Sequence, residues 1–188
     1  MQKKALFLII FTLMVLVGDK VSINVPLGTF DAPIASTTPH TTAEQPQTDL
    51  TTVTRVVDGD TIVVEMNGAQ EKIRLIGVDT PETVDPRKPV QCFGKEASTF
   101  TKNLLEGKQV RLESDSSQGD RDKYDRPLRY VFLPDGTFVN KEIIAQGYGH
   151  EYTYRTPYHY QTDFKAAERS ARESERGLWS PTACPTNL

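Results

Sequence analysis

Alternating apolar and polar positions predict five β-strands between residues 52 and 133. We expect these strands near residues 53–57, 61–66, 70–78, 108–113 and 128–133. Asp58-Gly59-Asp60 forms a tight turn between the first two strands, and Asn67-Gly68 is a strong hairpin signal between the next two. The first three strands therefore form a predicted antiparallel meander.

The hydrophobic period changes to that of a helix in three places. The first predicted helix has one apolar face, formed by Ala97, Phe100, Thr101, Leu104 and Leu105. A short second helix spans about 140–146, and a third is expected to begin at Thr156-Pro157 and to end at Gly177. Five strands with a helix after the third predict the α+β class, as a mainly β, five-stranded OB-fold Greek-key barrel with three packed α-helices.

Charged groups crowd the end of the third predicted strand, between Arg74 and Glu82. The strand has to stop at Thr80-Pro81, because proline has no N–H to donate to a neighbouring strand. In a straight chain Arg74 and Glu82 would lie roughly 26 Å apart. A shared site therefore requires a bend at Gly77 and a turn at Pro81, and both residue types suit these roles.

The first 50 residues are expected to lie outside the folded domain, which we place at 51–188. Lys3 and Lys4 precede a run of 13 residues, Ala5 to Val17, that is apolar except for one threonine. This run is shorter than the ~20 residues that cross a bilayer, so residues 1–17 are predicted to be a signal peptide. A retained membrane anchor is the alternative, because no Ala-x-Ala cleavage site follows. Residues 18–50, rich in proline and threonine, are a predicted disordered linker.

Export changes the interpretation of the two cysteines, Cys92 and Cys184. In an extracellular protein, or one anchored on the outer face of the cell membrane, such a pair predicts a disulfide. Two unpaired buried thiols are the alternative. The spacing of the cysteines does not indicate a zinc site.

The net charge of −3 does not indicate a protein that binds nucleic acid through its overall charge. Residues 1–50 hold three of the 22 basic and four of the 25 acidic residues, so the predicted domain carries −2. A polyanionic partner would therefore need a local basic patch or a bridging metal ion.

Several clusters of residues could carry chemistry, and each has a simpler structural interpretation. Asp58, Asp60 and Asp79 could bind a hard divalent cation such as Ca²⁺, or the first two could only close a turn. Glu82 could act as a general base while Arg74 stabilises charge on phosphorus, or the two could form a surface ion pair.

Two further segments suggest phosphate and base binding. The run from Asp120 to Arg126 could clamp a phosphate or be a solvated charged loop. Aromatic side chains that could stack on bases, or only pack in the core, follow it: Tyr148, Tyr152, Tyr154, Tyr158 and Tyr160.

Taken together, residues 52–180 resemble the thermonuclease family, the staphylococcal-nuclease-like domains. The motifs that carry the resemblance are Val57–Thr61, Arg74–Thr83, Asp122–Arg126 and Gly177–Ser180. The second motif is highly specific, and the last is only supportive. The resemblance implies an OB-fold barrel with three helices and Ca²⁺-dependent hydrolysis of DNA and RNA at the 5′-oxygen, which leaves 3′-phosphates.

The resemblance also assigns roles to individual residues. The implied calcium ligands are Asp60, Asp79 and the carbonyl of Thr80. The implied catalytic residues are Glu82 as general base and the arginines Arg74 and Arg126, which stabilise the pentacoordinate phosphate. The implied substrate contacts are Lys123, Tyr124, Tyr152, Tyr154, Arg87 and Lys88.

One residue departs from the family pattern. Asp125 stands where the family usually has glycine, and Pro127 stiffens the other side of Arg126. The sequence thus predicts an exported, calcium-dependent nuclease that acts on DNA and RNA as a monomer, without an obligate protein partner. An OB-fold module that holds single strands without cutting them is the alternative, and a surface adhesin is a third, less favoured one.

Overall fold

A computed structural model describes residues 50–66, 68–87 and 89–184 of the chain. The predicted signal peptide, almost all of the predicted linker, Asn67 and Lys88 lie outside the described residues. The first strand begins at Leu50, one residue before the predicted start of the domain.

Seven strands are found in the described residues: β1 Leu50–Asp58, β2 Thr61–Met66, β3 Ala69–Leu75, β4 Val78–Asp79, β5 Gln109–Glu113, β6 Leu128–Phe132 and β7 His150–Glu151. Five of them close into a barrel in the order β1-β2-β3-β6-β5. The β3–β6 pair is parallel and the other pairs of the barrel are antiparallel. The five-stranded barrel predicted from the sequence is confirmed.

The third predicted strand is divided in two. It stops at Leu75, and Gly77 then adopts a left-handed backbone with φ +74°. A Cβ atom on Gly77 would lie 2.6 Å from Cζ of Tyr158, so a side chain there would also collide with the core. The predicted bend at Gly77 is confirmed, and it releases β4 to pair with β7 instead of continuing the barrel.

In the part of the chain that the structure describes, three α-helices pack against the barrel: α1 Gly94–Leu105, α2 Val139–Ala145 and α3 Gln161–Glu173. The number of helices is confirmed, but the predicted ends of the third are wrong. Thr156 does not cap α3, because its hydroxyl donates to the carbonyl of Ser117 at 3.4 Å. The helix ends at Glu173, before Gly177, which begins a separate 3₁₀ turn that extends to Trp179.

The core lies inside the barrel and beneath α2 and α3. Its fully buried large side chains include Val53, Ile62, Val64, Ile73, Leu75, Val110, Tyr130, Ile143, Ile144 and Phe164. None of the helices within the described residues has the length and apolar character needed to span a bilayer.

A disulfide joins Cys92 to Cys184, with their Cα atoms 5.8 Å apart. It links the loop that leads into α1 to the segment that follows the 3₁₀ turn. Gln91, the residue before Cys92, is thereby held close to a covalent cross-link.

Asp115 is a buried carboxylate that holds three segments together. It accepts hydrogen bonds from the Tyr130 hydroxyl at 2.6 Å, from the His159 N–H at 2.8 Å and from the Ser117 hydroxyl at 2.7 Å. Burial alone would raise the pKa of Asp115, but these hydrogen bonds, that from His159 first, outweigh it and lower the pKa to about 2.

This depressed pKa predicts a specific loss of stability in acid. The contribution of Asp115 is fully present above the unfolded-state pKa of about 3.9 and is lost as the pH falls through about 2. Asp115→Asn should therefore be less stable than the wild type by about 2 kcal/mol at pH 7. Urea unfolding should show this difference shrinking between pH 4 and pH 2, and a constant difference would contradict the prediction.

Candidate active site

Asp60 fixes the exit of β3 against the turn between β1 and β2. Its carbonyl accepts the N–H of Leu75 at 3.0 Å, and its carboxylate accepts the N–H of Thr80 at 3.0 Å and the hydroxyl of Thr61 at 2.9 Å. Asp60 is 7% exposed, so these hydrogen bonds compensate a buried charge. The segment that bends at Gly77 is thereby returned to the barrel at Thr80.

Arg74 joins the two predicted metal-binding carboxylates. Its guanidinium forms ion pairs with Asp60 and, at 3.2 Å, with Asp79. Burial lowers the pKa of Arg74, the neighbouring Asp79 opposes this change, and the positive charge of Arg126 adds to it. Arg74 and Arg126 are therefore close enough for their charges to interact.

The parallel pairing of β3 with β6 brings Arg126 to this place. Arg74 pairs with Leu128, and its N–H donates to the carbonyl of Pro127 at 2.9 Å. Asp122 then orients the Arg126 side chain, accepting from Nε at 2.7 Å. The pairing of β3 with β6 thus sets Arg126 beside Arg74, with Asp122 holding its guanidinium.

A cavity of about 530 Å³ opens at these two arginines. Seven residues predicted to form the site line it: Arg74, Asp79, Lys123, Tyr124, Arg126, Tyr152 and Tyr154. Among the described residues, the remaining predicted site residues do not line it: Asp60, Thr80, Glu82 and Arg87. The cavity wall also includes residues that sequence analysis did not select, among them Gln118 and Arg155.

The β4–β7 pair supplies the tyrosines. Asp79 pairs with His150, and the N–H of Tyr152 donates to the carbonyl of Gly77 at 3.1 Å. Tyr152 and Tyr154 are 41% and 59% exposed at the cavity, with ring centroids 6.3 Å apart. Exposed aromatic faces of this kind can stack on bases.

The other three tyrosines, which could have stacked on bases, instead pack against neighbouring side chains. Tyr148 stacks on Phe100 with centroids 4.1 Å apart, and Tyr160 packs edge-on to Tyr130 at 4.8 Å. Tyr158 is buried and its hydroxyl donates to Glu151 at 2.9 Å. Burial raises the pKa of Tyr158, and the Glu151 carboxylate raises it further.

Glu82 caps its own loop. Its Oε1 accepts the backbone N–H groups of Thr83, Val84 and Asp85, at 2.9, 2.7 and 3.2 Å. Burial alone would raise the pKa of Glu82, but hydrogen bonds, that from Val84 first, lower it. The Glu82 N–H also donates to Oε1 of Gln91 at 2.8 Å. Glu82 is therefore a well-anchored carboxylate that does not line the cavity.

Asp58, the first carboxylate of the turn, has a structural set of contacts. It accepts the hydroxyl of Thr83 and the N–H of Gly59, both at 2.9 Å. Burial raises its pKa. These bonds tie the start of the Glu82 loop to the barrel.

The donor set around Arg74 fits a hard divalent cation. Asp60 and Asp79 meet at one guanidinium, so two carboxylates, the ligand type that Ca²⁺ prefers, converge at one place. Within the described residues no three acidic, histidine or cysteine side chains form a metal-binding group. Two converging carboxylates are a small ligand set, which suits a Ca²⁺ site that keeps several water molecules.

Arg87 lies in a different environment. Its guanidinium binds the Asp85 carboxylate, with Nε to Oδ1 at 2.8 Å, and its side chain is 81% exposed. Its proposed neighbour in substrate binding, Lys88, lies outside the described residues.

Asp125 occupies a position that favours glycine, with φ +62°. Its N–H and the carbonyl of Asp122 close a tight turn at 3.0 Å, and its own carbonyl accepts from Arg121 at 2.7 Å. Aspartate tolerates this left-handed conformation better than most residues, at some cost. The loop keeps its turn, and Arg126 still lines the cavity.

Replacing Asp125 should therefore separate backbone strain from charge. We expect Asp125→Gly to raise the free energy of unfolding by about 0.5 kcal/mol, because the left-handed strain is relieved. It should also lower KM for a polynucleotide about twofold, because a carboxylate near the cavity is removed. Asp125→Asn is the matched control and should reproduce only the change in KM. Urea unfolding and steady-state kinetics measure the two effects, and an increase in KM for both variants would contradict the electrostatic argument.

Comparison with known proteins identifies the family of this chain. The model of the family described as staphylococcal nuclease homologue matches residues 72–181. A thermonuclease of Staphylococcus hyicus is 46% identical over 128 residues, which cover 68% of this chain and 74% of that protein. A thermonuclease of Staphylococcus intermedius is 43% identical with the same coverage of both chains. Endonuclease YncB of Bacillus subtilis is 36% identical over a segment that covers 80% of this chain and 70% of that protein. The chain belongs to the staphylococcal nuclease family.

Proposed function

We propose that this protein is an exported, Ca²⁺-dependent nuclease that hydrolyses phosphodiester bonds of DNA and RNA. The observation that carries the proposal is the meeting of Arg74 and Arg126 at one cavity, beside Asp79 and the exposed tyrosines. Relatives that are named thermonuclease and endonuclease support it.

We assign the largest part of the transition-state stabilisation to the two arginines. A phosphodiester gains negative charge as water attacks phosphorus, and guanidinium groups held in place stabilise that charge without reorganising. Asp122 orients Arg126, and Asp79 orients Arg74. Lys123 and Tyr124 bind a terminal phosphate, while Tyr152 and Tyr154 stack on the base.

Glu82 is the proposed general base. The carboxylate of Glu82 is ionised at neutral pH, so it can accept a proton as water attacks phosphorus and the bond to the 5′-oxygen breaks, while the departing 5′-oxygen takes a proton from solvent. The hydrogen bonds that lower the pKa of Glu82 also make it a weaker base. The strand that carries the scissile phosphate then retains a 3′-phosphate. Oε1 of Glu82 already accepts three loop N–H groups. We therefore assign acceptance of the proton from water to the remaining lone pairs of the carboxylate.

Asp60, Asp79 and the Thr80 carbonyl would hold Ca²⁺. When bound by these residues, the ion would supply positive charge toward the phosphate and would lower the pKa of a bound water molecule. The hydrogen bonds of Asp60 with Thr61 and Thr80 fix the loop that carries these ligands.

A non-catalytic module that binds single strands is the second candidate. It is favoured by one observation, that Glu82 lies outside the cavity wall and is engaged with its own loop. In that case the arginines and tyrosines would bind a strand that is never cut.

Incubating the protein with denatured DNA and with RNA, in Ca²⁺ or in chelator, distinguishes the two functions. The nuclease proposal expects cleavage only in Ca²⁺, with 3′-phosphate ends detected by mass spectrometry of the products. Binding of both nucleic acids without cleavage in Ca²⁺ would overturn the nuclease proposal in favour of the binding module.

Export is part of the proposal, with residues 1–17 as a signal peptide or retained anchor and the domain outside the cytoplasm as a monomer. The Cys92–Cys184 disulfide supports an oxidising compartment. Cell fractionation with an antibody to the domain tests this, and material confined to the cytosol would contradict it.

A further inference from the structure

Arg155 lines the same cavity on the segment that follows Tyr154, and its guanidinium lies 5.1 Å from the centroid of the Tyr154 ring. We propose that Arg155 binds a second phosphate of a polynucleotide, adjacent to the scissile one. The site would then bind a strand of several nucleotides rather than a single nucleotide. This inference rests on the proposed function and deepens it.

Charge pairing distinguishes Arg155 from the other arginines of the cavity. Each of those forms an ion pair with a carboxylate: Arg74 with Asp79, Arg121 with Glu71 and Arg126 with Asp122. Among the described residues, no carboxylate lies within ion-pair distance of Arg155, whose contact is the ring of Tyr154. Its positive charge is therefore available to a ligand.

An arginine that is not paired with a carboxylate is especially important for polyanion binding in this chain. The net charge is −3, so overall charge repels a polyanion rather than attracting it. Binding of a polynucleotide then depends on cations that are not already neutralised, and an exposed guanidinium beside an aromatic face suits a phosphate next to a stacked base.

The backbone that carries Arg155 is held in place before any ligand binds. Gln118 Nε2 donates to the carbonyls of Thr156 and Pro157, at 3.3 and 3.2 Å. The hydroxyl of Thr156 also donates to the carbonyl of Ser117 at 3.4 Å. Because Asp115 anchors Ser117, the loop is fastened to the buried core. Little backbone ordering remains to oppose phosphate binding.

Equilibrium binding of two probes to the full chain tests the inference. The probes are a single-stranded decathymidylate and a dithymidylate with one internal phosphodiester, both measured in chelator so that no cleavage occurs. We expect Arg155→Ala to weaken decathymidylate binding roughly 10-fold, the effect of one charge-assisted contact, and to leave dithymidylate binding unchanged.

Salt dependence gives a second, independent readout. The slope of log Kd against log salt concentration for decathymidylate should fall by about 0.7 in Arg155→Ala, because one phosphate contact is lost. Arg155→Lys keeps the charge and should keep the slope. Arg169→Ala removes an exposed arginine of α3 that does not line the cavity and should behave like the wild type.

Two results would overturn the inference. Unchanged decathymidylate binding in Arg155→Ala would show that Arg155 contacts no phosphate. Equal weakening of both probes would show that Arg155 contacts the scissile nucleotide itself. Failure of the nuclease proposal is a separate result, the absence of cleavage by the wild type in Ca²⁺, and it leaves the binding comparison intact.

Discussion

Glu82→Gln is expected to lower kcat by roughly 10²–10⁴-fold while Kd for a nucleotide stays nearly unchanged. The glutamine side chain keeps an oxygen that can accept the three loop amides bound by Oε1 of Glu82. It cannot accept a proton from water at neutral pH. The substitution therefore removes basicity and keeps the capping contacts of the loop.

Glu82→Ser supplies the matched comparison, because it removes both the basicity and the contacts to the amides. If Glu82 is the general base, the two variants lose kcat to a similar extent, and only the serine variant loses stability to urea. Near-normal kcat in Glu82→Gln together with low kcat in Glu82→Ser would show that Glu82 acts by holding its loop. Single-turnover cleavage of denatured DNA in Ca²⁺ measures the chemical step.

Arg126→Lys is expected to lower kcat by roughly 10²–10³-fold, the usual cost of losing one donor aimed at transition-state charge. A lysine keeps the positive charge near Asp122 but has no planar fork that could bind Asp122 and a phosphate together. Because the charge remains, ground-state binding of the substrate should weaken much less than kcat.

Arg111→Lys is the control for this substitution. Arg111 pairs with Glu113 and stacks over Phe132 outside the cavity, so its replacement tests the general effect of losing a guanidinium. We expect unchanged kcat for Arg111→Lys in the same cleavage assay. An Arg126→Lys variant with wild-type kcat would contradict a transition-state role for Arg126 and would leave it as a residue that only supports its loop.

Local patterns were sufficient for most of the fold. The alternation of Val110 and Leu112 in β5 and the helical face of α1 are properties of neighbouring residues, so the sequence predicts them directly. The bend at Gly77 was predictable for the same reason, because glycine before a proline-terminated strand suits a left-handed turn.

The wrong ends of α3 arose because a local signal was overridden by distant contacts. Thr156-Pro157 has the chemistry of a helix start, but Ser117 and Gln118 bind these residues from another loop. The hydrogen bonds hold the segment in an irregular conformation at the cavity, and the helix starts four residues after Pro157, at Gln161. A loop separated by about forty positions in sequence leaves no trace in a local pattern.

By itself the sequence determined which chemical groups this protein has: two arginines, the carboxylates near them and a run of tyrosines, in an order that resembles one family. Only the tertiary structure decided which of them meet. The parallel β3–β6 pair sets Arg126 beside Arg74, and the β4–β7 pair brings the tyrosines to the same cavity. The tertiary structure also shows that Glu82 binds its own loop and that Arg155 has no carboxylate partner among the described residues. Pairing between distant strands fixes these relations, and that pairing depends on packing of the whole barrel rather than on any short stretch of residues.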